Sequence, residues 1–280
     1  MAGEVSVAWR PDAEDAVITS RSGALQAGLG RAVVQDALSL LPGELDEERV
    51  NMLRQRLLDK AWDYVLSYSE RGLDVTEDEQ GTMKTLRLDV TVNRPALKKE
   101  LKRLGVFYTV ATPQAFDIHL TDGASDAWDD LGRLQRFTGV RVRSGASPLL
   151  QISRDAEGVW TGRLSQNDDF WIEADKDLTL MWDRLWGHFF TRPGADAGLV
   201  SSLTLIIQGW YAPDGAKAFD AELRSWDKAL ESADLTEVHM LPDGIAATWR
   251  VATLDREALK ARLDEYLPPR GLSYSFDALP

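Results

Sequence analysis

The chain has 280 residues, 44% of them hydrophobic and 28% charged, which places it among ordered globular proteins and makes two or three domains of about 80–150 residues the expectation. With 45 acidic against 32 basic residues the formal net charge is −13, a potential that repels phosphate backbones and argues against nucleic acid as a partner. Zero cysteines exclude a disulfide framework, thiolate metal sites and a cysteine nucleophile.

Residues 5–9 alternate apolar and polar side chains as a strand does, and 16–19 form a second short extended candidate beyond a Pro11-Asp12 turn. The period then becomes helical: Leu25, Leu29, Val33, Ala37 and Leu41 share a stripe that Pro42-Gly43 terminates. A longer helix is predicted over 46–68, with Asp46 as N-cap and Val50, Leu53, Leu57, Ala61 and Tyr68 on one face. A charged loop follows, then a strand over 83–92, a helix opened by Pro95 and closed by Gly105, and a strand over 106–110.

From Phe116 the pattern begins again as strand (116–120), helix with Trp128, Leu131 and Leu134, and strand (140–143). Extended candidates at 149–153, 159–164 and 170–173 are separated by Asp155/Gly158 and Asn167-Asp168, the turn chemistry of antiparallel hairpins. An aromatic helix carrying Met181, Trp182, Leu185 and Phe189 closes this module, and Pro193-Gly194 with the small residues up to Gly198 makes the clearest linker. The last module is strand 203–209, helix 216–230, strand 237–240, the turn Pro242-Asp243-Gly244, strand 245–252, helix 255–267 and strand 272–276. That β-α-β-β-α-β order is the ferredoxin-like one. The predicted class is therefore α+β, built from consecutive small β/α modules with antiparallel sheets at 1–112, 113–196 and 197–280.

An internal similarity links the outer modules. Residues 86–108 read LRLDVTVNRPALKKELKRLGVFY and residues 245–274 read IAATWRVATLDREALKARLDEYLPPRGLSY. Arg94, Ala96, Leu97, Leu101, Gly105 and Tyr108 correspond to Arg256, Ala258, Leu259, Leu263, Gly271 and Tyr274, with a fainter third copy over 170–182. Tandem modules of this kind favour surface presentation over one deep active site.

Residues that could carry chemistry are sparse. His119, His188 and His239 fall in separate elements without a ligand at helix spacing, so no metal site and no cofactor is expected. Gly28-Leu29-Gly30 sits inside a helical pattern and lacks the third glycine of a phosphate loop. The cluster Asp168, Asp169, Glu173, Asp175 and Asp177 could supply a hydrolase pair only if two of them faced each other across a cleft; turn and N-cap roles are the simpler reading. Among ten tryptophans, Trp210-Tyr211 stands out as a binding candidate, because it ends a strand beside a Pro-Asp-Gly turn where a ring can be exposed. The basic group Lys98, Lys99, Lys102 and Arg103 reads as the wet face of its helix.

The stretch 24–41 with Gln35-Asp36-Ala37-Leu38, the segment Trp62-Asp63-Tyr64-Val65-Leu66-Ser67-Tyr68, and Leu88-Asp89-Val90-Thr91-Val92 leading to Ala96, Leu101 and Gly105 resemble a group of uncharacterised bacterial envelope proteins. The same stretch, about residues 15–110, is distantly similar to the N-terminal domain of the flagellar assembly protein T family, which builds a periplasmic ring around the flagellar motor. The resemblance implies an exported, non-enzymatic scaffold that acts on envelope protein partners or on itself. Met1-Ala2-Gly3-Glu4 lacks the basic and apolar regions of a secretory signal, so a periplasmic location is expected through the resemblance, with the cytoplasm as alternative. No apolar stretch reaches the roughly 20 residues of a membrane span. A glycan- or small-molecule-binding module using Trp210 and Tyr211 is the second reading, and a hydrolase using the acidic cluster the third.

Overall fold

Gly3–Trp9 forms β1 because Val5, Val7 and Trp9 alternate with polar residues and bury one face of the strand. The computed structural model describes residues 3–11, 16–79, 81–121, 123–195, 200–226, 229–242, 244–253 and 255–278. They belong to two compact units, 1–192 and 193–280. The Pro11-Asp12 and Pro242-Asp243-Gly244 turns, and the linker up to Gly198, lie partly outside the described residues.

The first unit begins with β1, α1 (Arg21–Leu40), α2 (Glu47–Leu58), β2 (Val65–Asp78), β3 (Gly81–Val92) and α3 (Arg94–Arg103). Ser20 caps α1 by accepting from the Gly23 amide at 3.1 Å, and Leu29, Val33 and Ala37 are driven against the sheet. Gly28 and Gly30 serve contact: a Cβ on Gly28 would meet Leu88 at 2.5 Å, and one on Gly30 would meet Leu58 at 2.3 Å. The sheet order is β1-β3-β2, antiparallel throughout, with Val5 opposite Leu88 and Val7 opposite Leu86.

Four expectations for this region are corrected. The helix of 46–68 ends at Leu58, and after a short 3-10 turn (Ala61–Tyr64) the chain enters β2, so Tyr68 lies on a strand. The supposed charged loop belongs to β2 and β3, which pair from Val65↔Val92 to Asp78↔Gly81. A helical stripe through Tyr64 and Tyr68 coexists with strand alternation there, and pairing with the buried strand β3 decides between them. Residues 16–19 form no strand, and 106–110 form turns after the left-handed Gly105 (φ 75°).

The unit continues with β4 (Gln114–Leu120), α4 (Trp128–Thr138), β5 (Val140–Val142), β6 (Leu149–Arg154), β7 (Trp160–Gln166), β8 (Asp169–Asp175) and α5 (Leu178–Thr191). The sheet order is β5-β4-β6-β7-β8; β4 runs parallel to both neighbours and the remaining pairs are antiparallel. Asp177 caps α5 from the Thr179 amide (2.7 Å), and Met181, Trp182, Leu185 and Trp186 fill the core with Phe116, whose ring meets Trp186 edge-on at 5.2 Å.

Arg49 fastens α2 to the Thr109 turn and to the end of α4. Its buried guanidinium donates to the Thr109 carbonyl (2.9 Å), the Thr109 hydroxyl (2.8 Å) and the Phe137 carbonyl (3.3 Å), while burial pulls its pKa below the ordinary arginine value. The Thr138 hydroxyl accepts from the Trp182 indole (2.9 Å), carrying the hydrogen-bonded chain to α5. Tyr108 stacks on Phe190 at 5.6 Å, and at Gly105 a Cβ would come within 2.3 Å of that ring.

The second unit runs β9 (Ser201–Trp210), α6 (Pro213–Leu223), β10 (Leu230–Leu241), β11 (Gly244–Thr253), α7 (Arg256–Tyr266) and β12 (Ser273–Ala278). Its order β10-β11-β9-β12, antiparallel at each step, is the ferredoxin-like arrangement predicted from the sequence. Leu205, Ile207, Trp249 and Val251 meet Phe219, Leu223, Leu259 and Leu263 from the two helices. Helix α6 stops at Leu223 instead of 230, because Leu230 opens a β10 longer than expected.

Candidate binding surfaces and the interior cleft

An irregularity at the end of β9 separates the two aromatic residues singled out in the sequence: Leu203, Leu205 and Ile207 alternate inward, and the register shift beside Gly209 (φ 102°) brings Trp210 to the inner face out of that alternation. Trp210 turns inward, only 9% exposed, against Phe219 (5.8 Å between rings) and beneath Gly215, where a Cβ would touch its ring at 2.8 Å. Tyr211 turns outward and is 99% exposed. Met240, Ile245 and Trp210 occupy one row across β10, β11 and β9, and Met240 is 84% exposed, with Val238 and Leu241 also at the surface. The exposed apolar surface at this end of the sheet thus consists of Tyr211 and the end of β10.

The acidic group does not converge. Glu173 meets His188 at 2.8 Å, Asp175 meets Arg184 at 3.0 Å and holds the Asp177 amide, and Asp177 caps α5. Asp168 follows Asn167, which adopts φ 53° at the β7–β8 turn. His239 lies beside Glu237 (2.8 Å), and among the described residues no three histidine, aspartate or glutamate side chains are grouped as metal ligands. No helix of the described residues is long and apolar enough to cross a membrane.

β2 is the largest open feature of the first sheet. It is an edge strand of 14 residues, whose strand partner among the described residues is β3, and Leu66, Tyr68, Leu73 and Val75 are exposed along it. The register places Leu73 opposite Leu86, and Val75 two residues further along the same inward row, yet α1 covers β1 and β3 and leaves this margin uncovered. On the outer face Arg71 pairs with Asp89, and Arg87 with Asp74.

A cleft of about 770 Å³ opens in the first unit between α2, α4, the β6–β7 hairpin and the start of α5. Its floor is apolar, made by Met52, Leu134, Phe137, Trp160 and Leu178. Most of its charges are already engaged. Arg56 pairs with the buried Asp183 and lies 4.7 Å over Phe137; Arg133 pairs with Asp130 at 3.1 Å; Asp177 is occupied as a cap. Burial raises the Asp183 carboxyl above its ordinary range against the pull of Arg56. Arg154 lies 4.7 Å over the Trp160 ring and only 3.7 Å from Asp126, and Lys176 and Asp59 have no side-chain partner among the described residues.

Sequence spacing does not reveal this cleft, since its walls come from four stretches more than 100 residues apart at the extremes. The one available signal is the Asp155/Gly158 turn, which sets Arg154 opposite Trp160. No family model, curated protein or solved structure matches the chain.

Proposed function

We propose that this chain is a non-enzymatic assembly or scaffold protein of the cell envelope, on the periplasmic side, working through contacts with an envelope protein or with copies of itself. The observation that carries the reading is β2: a long strand at the edge of its sheet, with one flank unpaired among the described residues and four large apolar side chains exposed, is the kind of edge that soluble monomers blunt, and that recognition by strand addition uses. The exposed Met240 and Tyr211 of the second unit give a further apolar surface. The first sheet pairs as β1-β3-β2 and the last as β9-β11-β10, each leading into a helix capped by an Asx residue, Asn93 or Asp255; an internal duplication accounts for both, and related modules that present edges suit an assembly role. The resemblance of residues 15–110 to envelope proteins supports the location.

The test is light scattering during gel filtration over a concentration series, with affinity capture from an envelope fraction. A concentration-dependent oligomer, or a stoichiometric envelope partner, lost in a Leu73→Lys/Val75→Lys chain that keeps its fold, is the expected result. A strict monomer that captures no protein overturns the reading.

A further inference from the structure

The cleft of the first unit has a chemical polarity that its paired charges do not cancel. Across the sheet the register sets Arg154, Trp160 and Asp175 in one row, with Lys176 the next residue after Asp175. Two cations therefore flank the aromatic floor at one end. Asp175 is held by Arg184 and by the Asp177 amide, so it does not neutralise Lys176, and Asp126 stands 3.7 Å from Arg154, beyond hydrogen-bond distance. Leu178 and Thr179, at the amino-terminal end of the 14-residue α5, line the same corner, with the Asp177 carboxylate turned onto the Thr179 and Leu180 amides. Leu134, Phe137 and Met52 continue the apolar surface away from this corner towards α2. The volume of about 770 Å³ lies within the range that encloses small organic molecules.

We propose that this cleft binds an amphipathic small organic anion, its apolar body on Trp160, Phe137 and Leu134 and its carboxylate, sulfonate or phosphate head between Lys176 and Arg154. The site is separate from Tyr211 and from the β2 edge, and it does not depend on the assembly role. An apolar body gains by leaving water for the floor, and a single negative head gains charge-assisted hydrogen bonds from donors that are otherwise incompletely used. A cation finds less at this corner: Asp177 serves as a cap and Asp130 is held by Arg133, while Asp126 keeps its ion-pair distance of 3.7 Å to Arg154 and Asp59 lies away on the α2 wall.

The probe is 8-anilinonaphthalene-1-sulfonate, titrated into the full chain and followed by its fluorescence, beside N-phenyl-1-naphthylamine, which has the same rings without the sulfonate. One saturable site is expected for the sulfonate, with the neutral analogue at least tenfold weaker. Lys176→Glu, at an exposed position, should weaken the sulfonate about tenfold or more, and Gln55→Trp, which fills the cleft from the α2 wall, should abolish the site. Tyr211→Ser, in the other unit, should leave it unchanged. Sulfonate binding unaltered in both cleft variants, or lost in Tyr211→Ser, overturns the proposal; equal affinity for the neutral analogue overturns its anionic part.

Discussion

The first sheet and the last start alike and finish differently. In the second unit the chain leaves α7, turns at Gly271 (φ 73°) and returns as β12 beside β9, completing a four-stranded sheet. In the first unit it leaves α3 and turns at Gly105 (φ 75°), but residues 106–110 are buried in turns and the next strand, β4, founds another sheet. Backbone conformation at the two glycines is nearly the same, so the divergence comes from what surrounds them. Around Gly105 stand Phe190, Thr109 and, through Thr109, Arg49; around Gly271 a Cβ would meet nothing within 4 Å. A would-be fourth strand is diverted by a packing surface and a buried cation, not by its own β propensity.

The sharpest way to break the comparison is alanine at each glycine. Gly105→Ala combines a left-handed residue with a clash into Phe190 and should cost about 3–5 kcal/mol in urea unfolding, whereas Gly271→Ala carries the backbone term alone, about 1–2 kcal/mol. Equal losses would mean that the Phe190 contact yields freely. Next in size is Arg49→Met, which strips the donors from the Thr109 and Phe137 carbonyls and should lose about 2–4 kcal/mol by the same measurement.

The helix caps should sharpen the likeness instead. Asn93 accepts from the Ala96 amide at 3.3 Å and Asp255 from the Ala258 amide at 3.0 Å, and each change to alanine should cost about 1 kcal/mol. The last effect is alkaline and is read by titration. Burial, with Glu100 assisting, pushes the Tyr64 hydroxyl up from 10.0 to about 12; burial and a 2.6 Å bond to Asp264 do the same for Tyr274. Because the folded values are raised, the contribution of each phenol to stability is complete below pH 10 and fades as pH rises towards 12. Tyr64→Phe and Tyr274→Phe should each remove one late-ionising phenol from an ultraviolet titration.

Where periodicity is decided locally, the fold is legible from the chain alone. The stripe Leu29, Val33, Ala37, the alternation of β3 and the whole strand order of the second unit follow from spacing of apolar residues and turn chemistry. Tyr68 reads as helical because Ala61, Tyr64 and Tyr68 satisfy a helical stripe, while the strand they yield to is specified by pairing with residues 82–92. Residues 106–110 have strand composition and form turns, since Arg49, some 60 positions away, claims Thr109. Tyr211 is identifiable as a surface aromatic; Trp210 is not identifiable as buried, because the inward row of β9 includes a register shift between Ile245 and Ala246 on the facing strand. Of the cleft, local spacing shows only the Asp155/Gly158 turn that faces Arg154 with Trp160; the rest exists only once α2 lies against α4 and α5.

The choice of partners around Arg49 has a consequence for the conditions under which the first unit holds together. Two carbonyl oxygens and a hydroxyl receive the guanidinium, and none of them titrates in the acid range or exchanges with dissolved counterions. Neighbouring links between Glu48 and Arg136, and between Arg56 and Asp183, depend on ionised carboxylates, and the exposed one weakens with ionic strength. As acid or salt strips those links away, the arginine anchor keeps its full complement of acceptors, so the joint of α2 with the Thr109 turn and α4 is built to outlast fluctuating surroundings.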